Sequence, residues 1–516
     1  MQIVLLDTNI VLDYLDSHRP RHKSVKTFLK NCKNKVKFLL SSYQYDTILF
    51  LLKRFLKISK KEIVSNFKKF LLDFNVNIIS TTGFDAKQSI DYSDPEDGIL
   101  ISICERIGKD CIILTYDENL IKCFERAITP EKFKISENSS ISLLDLKQEY
   151  LYYAEDLENA LLKTAVNAKY ILGPEVSELE QKIASYIGTK HAIGVSSGTD
   201  ALVISLRALA IKIKGQEYWD KEDLIITTPF TFTATGDAIL RAGATPLFVD
   251  IDPDTFNIDP EEIKKALKKY RKRVIGILPV HLYGQPCDMD RIMELAKDAG
   301  IFVVEDCAQS FGAKWDGRKT GSFGDIGCFS FFPSKNLGGF GDGGMVTTDN
   351  DELAEIIRML RKHGGKDKYN VDHIGYNARL DTLQAAILLA KMKYIDEFNK
   401  RRRKIASFYD KYLKEIAWIK TPKVQEKAYH VYHQYTIRVL NKRDEVQKKL
   451  KEKGIQTMVY YPVSLHQMKV FKNRCECLGE LKNATEATKQ VLSLPIEPMY
   501  REEICRKVVE GVRSLG

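Results

Sequence analysis

One lysine, Lys335, lies next to a glycine-rich stretch, a setting that could make its amine reactive. Lys335 follows the apolar run Cys328–Phe331 and precedes Gly338–Gly344, a stretch of seven residues that contains five glycines. Partial desolvation in such a turn lowers the pKa of a lysine amine, and the neutral amine is a nucleophile toward aldehydes. An ordinary surface lysine is the alternative, and this segment alone leaves both interpretations open.

A dinucleotide-binding pattern, G-x-G-x-x-G, also occurs in this region, at Gly339–Gly344. The strand-like run Met345–Thr348 follows it, whereas the motif requires a helix whose N-terminus binds the pyrophosphate. The context therefore argues against a dinucleotide site here.

Two further motifs supply complementary chemistry. Ser196–Asp200 joins a predicted strand to a predicted helix, so the amides near Gly198 and the Thr199 hydroxyl are placed to hold a phosphate dianion. Simple capping of the helix is the alternative. Asp306 ends the apolar run that begins at Ile301, at the sheet edge where ligands of α/β folds bind. Its carboxylate could pair with a protonated pyridine nitrogen or cap a turn.

Carboxylates also mark strand and helix ends in the N-terminal region. Asp7 closes the first apolar strand, Asp97 opens a helix, and Asp117 follows the strand Cys111–Leu114. Acids at one edge of a parallel sheet repel one another unless a hard cation such as Mg²⁺ or Mn²⁺ neutralises them. Helix capping by Asp97 and turn formation by Asp117 are the alternatives.

Residues 1–135 alternate short apolar runs with amphipathic stretches, which predicts a small α/β unit with a parallel sheet. The predicted strands are Ile3–Leu6, Ile78–Ile79 and Cys111–Leu114. The predicted helices are Ser24–Asn31, Gln44–Leu56, Lys61–Phe74 and Asp97–Arg106. Residues 136–142 form the most polar short stretch and are predicted to be a linker.

Beyond the linker a longer alternation predicts a mostly parallel sheet with helices on both faces. The predicted strands are His191–Val195, Leu224–Thr227, Pro246–Val249, Val274–Val280, Ile301–Val304, Cys328–Phe331 and Met345–Thr348. The predicted helices are Asp200–Ile213, Ala234–Ala242, Pro260–Tyr270 and Asp288–Ala299. After about residue 380 the pattern is more helical, with strand candidates at Tyr432–Val439 and Gln456–Tyr461, which indicates a smaller C-terminal domain.

The composition is that of a globular protein, with 44% hydrophobic and 29% charged residues, and 516 residues are too many for one ordinary domain. No apolar run reaches the roughly 18 residues of a membrane span, and the first residues lack the basic region of a secretory signal. Because the ten cysteines show no zinc-type or disulfide spacing, we expect a cytoplasmic protein. The net charge of +10 suits an anionic partner, either nucleic acid or a phosphorylated small molecule.

From Ile141 to Gly516 the chain resembles the DegT/DnrJ/EryC1/StrS family of pyridoxal-phosphate sugar aminotransferases. The matching stretches, in the order of the family, are Ile171–Val176, Ser196–Leu202, Pro229–Thr235, Val280–Gln285, Glu305–Gln309, Ser330–Gly344 and Gly375–Leu380. The resemblance implies a fold-type I transferase. Its large domain, residues 143–380, would hold a mixed, mostly parallel seven-stranded sheet, and residues 381–516 would form a small α/β domain.

This resemblance also implies roles for individual residues. Lys335 would bind the cofactor covalently and move the proton between the substrate carbon and the cofactor. The other contacts to pyridoxal phosphate would come from Asp306 at the pyridine nitrogen, Gln309 and Phe232 at the ring, Gly198, Thr199 and Ser330 at the phosphate, and Asn377, which would reach the phosphate in the neighbouring subunit of a homodimer. Further candidates for substrate contacts are His281, Tyr283, Arg379 and His466.

A few family members carry histidine in place of this lysine and dehydrate sugars. Because this chain has Lys335, the resemblance implies transamination. An amino donor, expected to be glutamate, would leave its amino group on the cofactor. A keto sugar carried on a nucleotide diphosphate would then receive it. Whether the amino group goes to sugar C3 or C4, and which nucleotide carries the sugar, stays open.

Residues 1–135 resemble the PIN domain family of small metal-dependent ribonucleases. The resemblance is carried by Asp7-Thr-Asn, by Asp46 on a predicted helix, by Asp94–Asp97 and by Thr115–Asp117. It implies that Asp7, Asp46, Asp97 and Asp117 bind Mg²⁺ or Mn²⁺ and activate water for cleavage of RNA. Asp46 departs from the family pattern, since many members have glutamate there.

Two functional hypotheses follow. In the first, the protein is a nucleotide-sugar aminotransferase whose N-terminal domain could also cleave RNA. In the second, RNA cleavage is the main activity, and the aminotransferase part serves as a dimerisation scaffold. The presence of Lys335, Asp306 and Thr199 together favours the first hypothesis.

Overall fold

A computed structural model describes residues 2–33, 35–55, 60–133, 140–367 and 369–515. The chain divides into two compact units, one of Met1–Ser140 with Lys147–Glu158 and the other of Ile141–Leu146 with Asn159–Gly516. Of the predicted linker, residues 136–139 lie outside the described residues. No helix in the described ranges is both long enough and apolar enough to cross a membrane.

The first unit is built on a parallel sheet of five strands. The strands are β1 Gln2–Leu6, β2 Val36–Ser41, β3 Asn77–Ile79, β4 Cys111–Leu114 and β5 Ala127–Ile128. The helices are α1 Thr8–Leu15, α2 His22–Cys32, α3 Ser42–Phe55, α4 Lys60–Asp73, α5 Gly83–Gln88, α6 Pro95–Ile107 and α7 Glu118–Cys123. The order of the strands in the sheet is β3-β2-β1-β4-β5. Because the order reverses between β1 and β4, the carboxyl ends of these strands flank the point where open α/β sheets bind ligands.

The sequence did not predict strand β2 or helix α1. Lys37 interrupts the apolar run of β2, although its side chain is buried and its backbone pairs with that of Ile3. Helix α1 begins at Thr8, directly after Asp7, so the chain turns at the carboxylate itself. The sequence therefore predicted the class of this unit but only three of its five strands.

A segment beyond the predicted linker completes the first unit. Two helices follow the linker, α8 Leu146–Tyr152 and α9 Ala154–Asn167. Leu151 is buried in the apolar cluster that contains Ile3 and Leu100. The side-chain amide of Asn77 donates to the Leu151 carbonyl oxygen at 3.1 Å. Leu151 of α8 thus contributes to the core of this unit, which extends to Glu158 in α9.

The second unit holds a sheet of eight strands and two small sheets. The strands are β6 His191–Val195, β7 Leu224–Thr227, β8 Thr245–Phe248, β9 Val274–Ile277, β10 Phe302–Asp306, β11 Lys314–Trp315, β12 Arg318–Lys319, β13 Ile326–Ser330, β14 Gly344–Thr348, β15 Ile419–Lys420, β16 Ala428–Tyr429, β17 Tyr435–Val439, β18 Glu476–Cys477 and β19 Val491–Leu494. The helices are α10 Pro174–Ile187, α11 Gly198–Lys214, α12 Thr233–Arg241, α13 Pro260–Tyr270, α14 Met289–Ala299, α15 Asp351–Leu360, α16 Thr382–Met392, α17 Ile395–Leu413, α18 Arg443–Glu452, α19 Lys482–Gln490 and α20 Glu502–Arg513.

The large sheet has the order β18-β8-β7-β9-β10-β13-β14-β6. All neighbours are parallel except those of β14, which runs antiparallel to both β13 and β6. Seven of these strands are the predicted ones. The eighth, β18, is a two-residue strand from the C-terminal region that pairs with the edge strand β8 and is too short to leave an apolar pattern. Strand β14 begins at Gly344, the last residue of the glycine-rich stretch, so a strand follows this pattern as predicted.

Two small sheets, β12-β11-β16 and β15-β17-β19, complete the unit. The predicted strand Gln456–Tyr461 is wrong, because within it only Met458 forms a bridge, an isolated antiparallel pair with Ser493. Tyr461 has a φ of +63° and turns the chain just before Pro462. A bulky residue in this left-handed region ends any extended run.

Candidate active sites

Helix α11 begins at the carboxyl end of β6 because Ser197 caps it. The Ser197 hydroxyl accepts a hydrogen bond from the Asp200 backbone N–H at 3.1 Å, and it also donates to the Asp200 carboxylate at 3.0 Å. The capping that the sequence left as an alternative is therefore present. It also holds the first turn of α11, which contains Gly198 and the half-buried Thr199, against the large sheet.

A close backbone approach forms a cradle at this helix terminus. A Cβ atom added to Gly198 would lie 2.7 Å from the Cβ of Ser330, so only glycine fits here. Ser330 ends β13 and pairs with Gly344 of β14. The structure thus brings Gly198, Thr199 and Ser330 together in an arrangement that suits a phosphate group.

Lys335 lies in a turn just beyond β13, and its amine is under the electrostatic influence of one carboxylate, that of Asp306. Burial lowers the pKa of Lys335 to about 8, and the Asp306 carboxylate opposes this shift. The backbone N–H of Lys335 donates to the Phe332 carbonyl oxygen at 2.8 Å, which closes the turn. A lysine with this pKa has a substantial neutral fraction at mildly alkaline pH, as an amine nucleophile requires.

Asp306, the last residue of β10, is buried and hydrogen-bonded on both carboxylate oxygens. One oxygen accepts from the Thr235 hydroxyl at 2.9 Å and the other from the Ala308 backbone N–H at 3.1 Å. Burial raises the pKa of Asp306, whereas these hydrogen bonds and Lys335 lower it. Thr235 was not singled out from the sequence, since nothing in the motif Pro229–Thr235 distinguishes its hydroxyl from those of its neighbours.

Gln309 is held by two tyrosines. Its side-chain oxygen accepts from the Tyr283 backbone N–H at 2.7 Å, and its side-chain nitrogen donates to the Tyr461 hydroxyl at 2.6 Å. These partners fix the orientation of the amide. One N–H of the Gln309 amide is left for another acceptor.

The remaining predicted residues of this unit divide into exposed and buried ones. Phe232, at the start of α12, is 59% exposed, and Asn377 is exposed as well. Arg379 and His466 are half-buried. Tyr283 has a φ of +57° and is buried in an aromatic cluster with Phe230, Phe256 and Tyr461.

His281 is fully buried, and both of its ring nitrogens are engaged within the protein. Its Nδ1 accepts from the Cys287 backbone N–H at 3.0 Å, so the proton of the neutral ring lies on Nε2, 3.0 Å from Glu305. Glu305 is also fully buried and accepts three backbone N–H groups, those of Gly321, Phe323 and Gly324. This is the geometry of structural side chains.

Within the described ranges, one set of three ligating side chains has all its ligand atoms within 4.8 Å of one another, namely His281, Glu305 and Cys307. Since the hydrogen bonds of His281 and Glu305 are already made inside the protein, we assign no metal there. The acids Asp7, Asp46, Asp97 and Asp117 do not form such a set among the residues described.

Three of the four predicted acids of the first unit are electrostatically coupled at the carboxyl edge of β1 and β4. Burial raises the pKa of Asp97 to about 7, and Asp117 and Asp7 add to this shift. Burial also raises the pKa of Asp7 to about 6, against a hydrogen bond of 2.7 Å from the Thr115 hydroxyl. Glu96 contributes to both shifts and accepts from the Thr8 hydroxyl at 2.7 Å.

Asp46 lies in a different environment from these three acids. It is exposed on α3 and is not among the groups that shift the pKa of Asp7 or Asp97. The residue of α3 that reaches this edge is Gln44, whose amide donates to the Leu6 carbonyl at 2.9 Å and to the Thr8 hydroxyl at 3.3 Å. Glu96 and Gln44 are thus polar neighbours of the site that the sequence did not indicate.

The second unit is similar to known proteins along most of its length. The model of the DegT/DnrJ/EryC1/StrS aminotransferase family matches residues 152–513. A pleiotropic regulatory protein of Geobacillus stearothermophilus is 46% identical over 375 residues, which cover 72% of this chain and 98% of that protein. A UDP-N-acetyl-3-dehydro-alpha-D-glucosamine 3-aminotransferase of Acidithiobacillus ferrooxidans is 41% identical over 379 residues, which cover 73% and 99%.

A solved structure supports the same relationship. The structure of NtdA from Bacillus subtilis, with bound cofactor PMP, is 32% identical and superposes with a TM-score of 0.66. The match covers 81% of this chain and 97% of that one. The fold-type I α/β architecture expected for the second unit is therefore confirmed.

We expect the stability of the first unit to decrease as the pH rises from about 4 to about 7, because of Asp97. Its folded-state pKa of about 7 exceeds the ordinary value of 3.8, so the folded state binds more protons than the unfolded state in this range. The variant Asp97→Asn should therefore be stabilised by about 1–2 kcal/mol above pH 7 and should match the wild type near pH 4.

Amide hydrogen exchange of peptides covering residues 111–117 would measure this effect, with variant and wild type compared at the same pH. Glu105→Gln is the matched control, because Glu105 is exposed on the same helix, α6. Equal protection of Asp97→Asn and wild type at pH 8 would contradict the prediction.

Proposed function

Because the chain belongs to the DegT/DnrJ/EryC1/StrS aminotransferase family, we propose that its second unit uses pyridoxal phosphate to transfer an amino group to C3 of a nucleotide-linked keto sugar. The observation that carries the proposal is the desolvated Lys335 amine under the influence of the buried Asp306 carboxylate, together with the glycine cradle that Gly198 forms with Ser330. The amine would react with the aldehyde of pyridoxal phosphate, the carboxylate would bind its pyridine nitrogen, and the cradle would bind its phosphate.

The residues fit the cofactor in the following way. Gly198, Thr199 and Ser330 would hold the phosphate in the cradle at α11. Asp306 would keep the pyridine nitrogen protonated, while Thr235 and Ala308 orient its two oxygens. Gln309 would lie beside the ring, and the exposed face of Phe232 would stack on it. When bound, pyridoxal phosphate supplies an electron sink at the reacting carbon.

Lys335 would act twice in this site. Its neutral amine would bind the cofactor covalently, and once released it would carry the proton between the substrate carbon and the cofactor. A pKa of about 8 suits both tasks, since the amine can accept and return a proton near neutral pH. The Asp306 carboxylate keeps that pKa from falling further.

The proposed C3 position follows from the name of the relative from Acidithiobacillus ferrooxidans, a 3-aminotransferase that is 41% identical. Arg379 and His466, which are half-buried, remain proposed contacts for the anionic substrate. The buried His281 and Tyr283 would instead have structural roles, since they contact Glu305 and Gln309. We propose glutamate as the amino donor.

We further propose that two copies of the chain form the working enzyme. Phe332 and Phe340, which follow β13 on either side of Lys335, are 52% and 45% exposed. A partner copy would cover them and would bring its exposed Asn377 to the phosphate. Sedimentation equilibrium of the purified protein should give twice the chain mass of 59.0 kDa, and a monomer at micromolar concentration would exclude the arrangement.

Replacement of Lys335 tests the proposed chemistry directly. Lys335→Ala should lose the visible absorbance of the covalently bound cofactor and at least about 10³-fold in transamination, since no other group replaces the amine. The control Lys265→Ala removes an exposed lysine of α13 and should change neither.

The substrate is tested with a panel of nucleotide-linked 3-keto and 4-keto sugars and with glutamate as donor. Product formation from 3-keto sugars alone is the expected result. Turnover of 4-keto sugars alone would reject the C3 assignment, and a Lys335→Ala variant with normal turnover would reject the mechanism.

A second activity is proposed for the first unit, namely metal-dependent RNA cleavage. The observation that favours it is the repulsion of Asp97 by Asp7 and Asp117, which Mg²⁺ or Mn²⁺ would relieve. These three acids would bind the cation and orient a water molecule toward the phosphodiester.

Substitutions in the full-length protein would test this activity. Asp7→Asn and Asp97→Asn should each abolish Mn²⁺-dependent cleavage of single-stranded RNA, by about 10²-fold or more. Asp46→Asn should lower it by less than about tenfold, because this exposed carboxylate lies outside the coupled group. Cleavage that persists in Asp7→Asn would point to a contaminating nuclease, and an inactive wild type with every divalent metal tried would refute the proposal.

A further inference from the structure

The residue after the proposed catalytic lysine is a buried asparagine whose side chain contacts three residues on two other segments. The amide nitrogen of Asn336 donates to the side-chain oxygen of Asn399 on α17 at 2.7 Å and to the Val431 carbonyl oxygen at 3.3 Å. Its amide oxygen lies 3.1 Å from Nδ1 of His433. Asn336 therefore ties the Lys335 turn to two distant parts of the second unit.

The donor and acceptor in each of these hydrogen bonds can be assigned by starting from the backbone carbonyl group of Phe311. The Phe311 carbonyl oxygen can only accept, so the Asn399 group that faces it at 3.0 Å is the donating nitrogen. The Asn399 oxygen then faces Asn336 and accepts from its nitrogen. The Asn336 oxygen consequently faces His433, and Nδ1 of His433 must carry the proton that it donates.

His433 is buried together with these asparagines, next to two cationic side chains. Burial lowers the pKa of His433 well below its ordinary value, and the charges of Lys335 and Arg402 lower it further. The ring is therefore neutral at physiological pH. A cationic ring in this position would repel the Lys335 ammonium group, and Asn336 would gain nothing from it, since Nδ1 already donates.

We propose that Asn336 and His433 are positioning residues for Lys335, and that the relay Asn399–Asn336–His433 anchors the lysine turn and holds an uncharged imidazole, protonated on Nδ1, beside the amine. The inference rests on the proposed role of Lys335. It assigns a task to a buried histidine that lies about 100 positions from the lysine in sequence and does not form part of its motif.

A pair of variants at position 433 separates the hydrogen bond from the shape of the ring. His433→Asn keeps a donor near the position of Nδ1, whereas His433→Leu keeps the volume and leaves the Asn336 oxygen unpaired, which is costly for a buried acceptor. We expect His433→Leu to release the bound cofactor about tenfold faster than the wild type. His433→Asn should stay within about threefold of it.

A double-variant cycle then tests whether the two residues act together. Asn336→Ala should also speed release about tenfold, and Asn336→Ala combined with His433→Leu should be no faster than either alone, because each breaks the same relay. The pH midpoint of the visible absorbance should shift in the same variants, which a loss of general stability alone would not produce. Additive effects, or a His433→Asn variant that releases cofactor as fast as His433→Leu, would overturn the proposal.

Two controls keep this test independent of folding and of the function of Lys335. Should His433→Leu fail to fold, His433→Gln replaces it, because its amide extends to the position of Nε2 and leaves the Asn336 oxygen without a donor. Lys335→Ala shows whether the lysine binds the cofactor at all. If that variant loses the visible absorbance while the position 433 variants behave as wild type, the relay is refuted and the role of Lys335 stands.

Discussion

A carboxylate held away from water, that of Asp306 at the end of β10, is the constraint on which the proposed site of the second unit depends, and the charge of Lys335 acts on it. Burial alone penalises both charged forms, lowering the pKa of the lysine and raising that of the aspartate. The attraction between the two charges offsets part of this penalty, and a buried carboxylate also requires hydrogen bonds to its oxygens. Thr235 and Ala308 do this for Asp306, and the position of α12 and of the chain after β10 follows from it.

The two units use the same edge of a parallel sheet for different electrostatic purposes. In the second unit a cation of the same chain, Lys335, favours the charged form of the carboxylate that ends β10. In the first unit burial raises the pKa of Asp97, and the acids that follow β1 and β4, Asp7 and Asp117, raise it further. A divalent cation would favour the ionised forms of Asp7 and Asp97, so it is the chemical complement of this edge.

Sequence reasoning succeeded where a function depends on neighbours in the chain. The glycine-rich turn at Lys335, the cap at Ser197 and the acid that ends β10 are local patterns, and the strands they follow are continuous apolar runs. The relay through Asn399 and His433 could not be predicted, because its members lie on separate elements and only the fold brings them together. Asp46 and Gln44 differ by two positions on α3, so a small error in helix register exchanges an exposed residue for a buried one.

The extent of the first unit shows the same limit of local patterns. The polar stretch at residues 136–142 predicts a linker, and the family model begins at residue 152, yet Lys147–Glu158 belong to the first compact unit. Polarity marks where a chain can be exposed, whereas a compact unit ends where its apolar surface is covered. Leu151 covers part of the surface formed by β1 and α6, and Asn77 binds the backbone beside it. A fragment that stopped at the polar stretch would leave this surface in water, so the segment after the linker is as much a part of the first unit as the strands that precede it.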